Sequence, residues 1–208
     1  EIPLRLVGSE MCIRDRKKAI KEVFYDEKRG VFRLTSLTEK TSVLGNSLAF
    51  LAGLGDEKLA EKIASGEGMI PVTLSMNAFK YDALMKFGDK YNGYILDDIR
   101  KIYGKMLEAG ATTFWETELG WEDFGGAGSL CHGWSSAPTA FLAEEVLGIR
   151  ILAPGCKKIR IAPRLGNLEW AEGKYPTPYG TVTVSCKNLG GEIKTEWTAP
   201  PEITVITE

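Results

Sequence analysis

The hydrophobic period of the chain changes once, near Gly148, and this constrains the fold more than any other feature. Before that point apolar residues recur at spacings of three and four. In Asn92–Ala109, the residues Ile95, Ile99, Ile102 and Met106 line one helical face, and Gly110 marks the stop. Ile20, Val23 and Phe24 give an apolar face before the turn at Lys28-Arg29-Gly30. Val43, Leu44, Leu48 and Leu51 do so within Lys40–Gly53, and Asp56 is placed to cap a helix holding Leu59 and Ile63 that ends at Gly66. Ser75 is expected to cap a helix that buries Phe79, Leu84 and Met85, and Pro138 opens a last one containing Phe141, Leu142, Val146 and Leu147. After Gly148 the period drops to two: 158–162, 181–185, 193–197 and 203–206 alternate polar and apolar, separated by Pro176, Pro178, Gly180, Gly190-Gly191 and Pro200-Pro201. Six helices followed by strands, segregated along the chain, predict a helical part and then a small antiparallel β-sandwich.

Composition removes several function classes. The 208 residues carry 26 Lys+Arg against 28 Asp+Glu, a formal net charge of -2, with no basic footprint for nucleic acid or an anionic membrane surface. No stretch approaches the roughly 18–20 apolar residues of a spanning helix. Hydrophobic residues at 44% and charged residues at 26% are those of an ordinary folded protein, which sets aside disorder. Four scattered cysteines without a CxxC pair argue against a thiolate zinc site and a disulfide scaffold. A single histidine excludes two-histidine centres, and with no DxDxDG spacing no metal is expected.

Residues 1–16 follow neither pattern. LVGSEMCIRDR resembles the translated adaptor sequence that recurs at the ends of metagenomic reading frames, so this stretch is expected to be a non-native leader.

Chemistry concentrates between the last two helices. Residues 112–135 hold three of the five tryptophans (Trp115, Trp121, Trp134), the only histidine (His132) and four carboxylates (Glu116, Glu118, Glu122, Asp123). Long aromatic loops on a helical scaffold commonly carry function. Indole faces stack on the C–H faces of a sugar ring, and carboxylate and imidazole groups hydrogen-bond its hydroxyls. The same residues also fit a plainer account, with tryptophans as packing and Glu118, Glu122 and Asp123 as a solvated face.

Three stretches resemble a known family. Thr112-Thr113-Phe114-Trp115-Glu116 followed by Ser129-Leu130-Cys131-His132-Gly133-Trp134-Ser135-Ser136-Ala137-Pro138 is similar to the C-terminal part of bacterial α-L-rhamnosidases of glycoside hydrolase family 78. Tyr94–Arg100 with Met106–Ala111 resembles the helix before that motif, and Pro154–Pro163 the entry into the terminal sandwich. The resemblance implies that residues 17–150 form the C-terminal half of an (α/α)6 barrel and residues 151–208 an antiparallel β-sandwich. It implies hydrolysis of terminal α-L-rhamnosyl residues with inversion and no cofactor. Glu116 is then the general base and His132 a ligand of rhamnose hydroxyls, with Trp115, Trp134 and Trp121 as substrate-binding aromatics. Inversion requires a second carboxyl group about 6.5–9.5 Å away, which the resemblance places upstream of residue 17, so this chain alone is expected to be inactive. Two alternatives stand beside this reading: another six-hairpin glycosidase or phosphorylase with a different sugar, and a non-catalytic carbohydrate-binding module.

Overall fold

A computed structural model describes the backbone of residues 4–207 and the side chains of residues 10–207. Residues 1–3 of the expected leader lie outside the described residues. The chain forms two compact units, one up to Lys86 and one from Phe87 onward.

In the first unit a helix α1 (Leu4–Phe24) leads into a two-residue hairpin, β1 (Tyr25–Asp26) and β2 (Val31–Phe32). Side chains 10–16 are all exposed, so the described part of the leader buries nothing. Helices α2 (Val43–Leu51), α3 (Glu57–Ser65) and α4 (Asn77–Met85) follow. Two termini obey local capping chemistry. Ser42 accepts from Gly45 N–H at 3.0 Å, and Asp56 accepts from Leu59 N–H at 3.1 Å while Gly66 closes α3 at φ 63°. Asn46, fully buried, binds both backbone groups of Phe32 and ties α2 to β2.

The expected cap at Ser75 is not formed. Its hydroxyl pairs with Thr73 at 3.1 Å inside a short 3-10 turn, and α4 begins at Asn77. The buried stripe is therefore Asn77, Lys80, Tyr81 and Leu84, the i, i+3, i+4, i+7 face, and Phe79 falls outside it, exposed.

The second unit opens with α5 (Asn92–Glu108), which buries Ile95, Leu96, Tyr103 and Met106, while Ile99 and Ile102 are half-buried. A long loop then leads to α6 (Ala137–Phe141), which continues as one π-helical turn, Leu142–Val146. At Gly148 the helix becomes a strand. Its φ is 71°, and a Cβ there would lie 2.1 Å from the backbone of Ala162, so only glycine admits the close approach.

Strands β3 (Ile149–Ile151), β4 (Lys158–Ile161) and β8 (Thr204–Thr207) make one sheet. Strands β5 (Trp170–Thr177), β6 (Gly180–Leu189) and β7 (Glu192–Thr198) make the other. Ile149, Ile159 and Ile161 of the first sheet and Val182 and Val184 of the second form one core, which is the expected sandwich. One pair departs from the antiparallel expectation: β4 and β8 run parallel, because the whole second sheet intervenes between them and returns the chain in the same direction.

Hydrogen bonds join α5 to the segment leading into β5. Asn92 donates to the Arg164 carbonyl at 2.6 Å, and Asn167 donates to Asp97 at 2.9 Å. The helix that launches the aromatic loop is thus fixed to the sandwich.

Candidate active site

The loop after α5 is held at its base by two aromatic rings and a hydroxyl. Tyr103 meets Phe114 edge-to-face at 5.8 Å and donates to the Ser135 carbonyl at 3.0 Å. Residues 113–116 and 129–132 then run alongside each other as a short ladder. His132 N–H donates to Phe114 O at 2.7 Å, Glu116 N–H to Ser129 O at 2.9 Å, and the Thr113 hydroxyl to Leu130 O.

This ladder brings Glu116 and His132 together. Glu116 Oε2 accepts from Ser129 N–H at 3.2 Å and lies 3.7 Å from His132 Nδ1. The second distance is too long for a hydrogen bond, but the two groups face one another. Oε1 receives no donor from the described residues, so it is the oxygen free to accept from a water molecule. Both side chains are about 30% exposed, Glu116 at 28% and His132 at 30%, reachable but not solvated on all sides. The imidazole stacks on Trp134 with centroids 4.4 Å apart and planes 10° off parallel. Trp134 itself is 59% exposed, which leaves apolar surface beside the carboxylate.

The other two tryptophans sit differently. The Trp115 ring lies over Gly120, where an added Cβ would meet it at 2.7 Å, so it packs inside the loop. Trp121 is exposed, with its ring over Gly126. Of the outlying carboxylates, Glu118 pairs with Lys105 at 3.0 Å, and Asp123 accepts from the backbone N–H of Phe124 at 2.9 Å. These are surface and turn roles. Ser129 enters through its backbone N–H, a role that side-chain chemistry does not reveal. The local signal is Gly128, next in sequence to Ser129, whose missing Cβ lets the chain pass against the backbone of Gly120. Among the described residues no three His, Cys, Asp or Glu side chains are grouped to hold a metal ion.

A helical part bearing this carboxylate loop, closed by a small β-sandwich, has the architecture of the C-terminal portion of a class of glycosidases. Residues 148–206 match the family described as Bacterial alpha-L-rhamnosidase C-terminal domain. An α-L-rhamnosidase of Alteromonas sp. (strain LOR) is 36% identical over 88 residues, covering 38% of this chain and 9% of that protein. The crystal structure of the GH78 rhamnosidase of Bacillus sp. GL1 superposes with a TM-score of 0.78 at 31% identity, over 92% of this chain and 22% of that one. The α-L-rhamnosidase of Streptomyces avermitilis, crystallised with L-rhamnose, shares the fold with a TM-score of 0.69 at 16% identity, over 92% of this chain and 19% of its own. The chain is similar to the C-terminal region of GH78 α-L-rhamnosidases, and spans about a fifth of the solved structures it matches.

Proposed function

We propose that this chain supplies the general base of an inverting α-L-rhamnosidase. The carrying observation is the Glu116 carboxylate, whose Oε2 is held by Ser129 N–H and faces the His132 imidazole, while Oε1 has no donor among the described residues. In this reading Oε1 takes a proton from water as that water attacks the anomeric carbon. The anchored Oε2 keeps the carboxylate from rotating away. His132 hydrogen-bonds sugar hydroxyls, and its stacking on Trp134 fixes the ring plane. Trp134 and Trp121, both exposed, supply apolar faces for the C–H side of the sugar, while Trp115, packed over Gly120, supports the loop. No cofactor is required, because general acid and base carry the proton transfers.

The general acid belongs to an upstream part of the polypeptide, in the half of an (α/α)6 barrel that residues 17–150 would complete. The isolated 208-residue chain is then inactive. The test is hydrolysis of p-nitrophenyl α-L-rhamnoside by the full-length protein and its Glu116→Gln variant. Loss of a positioned base lowers kcat by about 10²–10⁴-fold, and proton NMR of the wild-type reaction shows the β-anomer appearing first. Unchanged turnover in Glu116→Gln, or retention of configuration, overturns the assignment. Turnover by the isolated chain overturns the upstream acid.

A further inference from the structure

We propose that Tyr103 is the positioning residue for the stack of His132 on Trp134, setting substrate affinity without touching the sugar. This inference rests on the rhamnosidase reading of that stack, and extends it to a residue buried beneath the loop.

The need for it arises at Pro138. Ser135 is fully buried, so its carbonyl is closed to solvent and requires a donor from the protein. In the turn that opens α6 the N–H three residues further on is placed to return to that carbonyl, but the residue there is Pro138, which has none. The following N–H, of Thr139, donates to Ser136 O at 2.9 Å instead. Tyr103 reaches across from α5 and supplies the missing donor, its hydroxyl 3.0 Å from Ser135 O.

Ser135 is coupled directly to the stack. Its own N–H donates to His132 O at 3.2 Å, and Trp134 lies between the two in sequence, so residues 132–135 move together. The phenol ring of Tyr103 meets Phe114 edge-to-face, and Phe114 O accepts from His132 N–H at 2.7 Å. Tyr103 therefore holds His132 from two directions, through Ser135 by its hydroxyl and through Phe114 by its ring. Glu116 is anchored separately, by Ser129 N–H. The hydroxyl thus bears on the wall that binds the sugar rather than on the base.

Tyr103→Phe keeps the ring and removes only the hydroxyl, leaving a buried carbonyl without its donor. The chain has a single histidine, so one imidazole Cε1–Hε1 NMR signal reports the stack. The indole ring current displaces that signal upfield, and Trp134→Ala marks its unstacked position. In the 208-residue chain, Tyr103→Phe is expected to move the signal most of the way to that position, while the Val182 and Val184 amide signals of the sandwich core stay in place. In the full-length protein, Tyr103→Phe is expected to raise KM for p-nitrophenyl α-L-rhamnoside about five-fold or more and to leave kcat within about three-fold, as loss of uniform binding does. A purely structural role would lower stability and move neither reading. An imidazole signal at its wild-type position overturns the proposal, as does an unchanged KM or a fall in kcat larger than the rise in KM. Failure of the wild-type full-length protein to hydrolyse the rhamnoside overturns the rhamnosidase reading instead, and the imidazole signal then decides alone whether Tyr103 positions the stack.

Discussion

Gly128→Ala isolates the device that holds Glu116. The new Cβ would stand 1.9 Å from the Gly120 carbonyl oxygen and 2.9 Å from its carbon. Carbon and carbonyl oxygen rest at about 3.3–3.6 Å, so the two backbone segments must part by more than about 1 Å. Neither is a flexible side-chain end, so nothing nearby can simply rotate away. The residue displaced with Gly128 is Ser129, whose N–H donates to Glu116 Oε2 and whose carbonyl accepts from Glu116 N–H. Moving both out of reach removes one charge-assisted bond and one backbone bond, together roughly 2–4 kcal/mol of local stability. Amide exchange reads this directly: the Glu116 amide should exchange about 30- to 1,000-fold faster, at 1.4 kcal/mol per ten-fold. Val182 and Val184 amides in the sandwich core should keep their protection, because their surroundings are untouched. A Glu116 amide exchanging within about three-fold of wild type would refute the account. Loss of protection throughout the sandwich would refute it too, by showing that the loop is not a separable element.

Three further outcomes are expected. Asn46→Ala strips both backbone partners of Phe32 inside a fully buried site, and should destabilise the chain by about 2–4 kcal/mol in urea unfolding, whereas an exposed polar substitution changes little. Deleting residues 1–16 removes described side chains that are all exposed, so the unfolding free energy should change by less than about 0.5 kcal/mol. Burial pushes the Cys186 thiol above its ordinary value of 9.0. The native state then keeps a proton that the unfolded chain loses, so stability is intact below pH 9.0 and declines as pH rises beyond it. A Cys186→Ala variant should lack that part of the decline when urea midpoints are compared between about pH 8 and 10.5.

The sequence disclosed those parts of the fold whose cause is local. Asp56 and Gly66 bound α3 because cap chemistry needs only a few neighbouring residues. The alternation in β4 and β6 shows because each strand has one buried face, whereas β7 alternates in sequence although only Thr195 is even half-buried. Strand β5 escaped for a physical reason. Its inward residues include Ala171 and Gly173, and Leu147 fills the space a side chain at Gly173 would take, with a Cβ there only 2.4 Å from Leu147 Cδ1. The hydrophobic partner of β5 is thus encoded 26 residues earlier, on the segment after α6, and the inward residues at 171 and 173 are too small to mark an apolar face. Pro176, read as a turn former, is accommodated because β5 is an edge strand. Strand β3, three residues long, is too short to show a period.

The candidate site divides along the same line. Its residue types were visible, since a carboxylate, an imidazole and indoles crowded into one loop stand out in any composition count. Their grouping was not, because it depends on a ladder between residues 113–116 and 129–132 that brings distant backbone atoms into register. Trp115 and Trp134 look equivalent as letters, yet one packs over Gly120 and the other stacks in the open on His132. What separates them is the backbone at Gly120, with φ 59°, which turns the chain under the first ring. An aromatic residue in such a loop should therefore be weighed by the glycines around it. Trp115, so close over Gly120 that a Cβ there would lie 2.7 Å from the ring, supports the loop, whereas Trp134, 59% exposed, keeps a face available to a ligand.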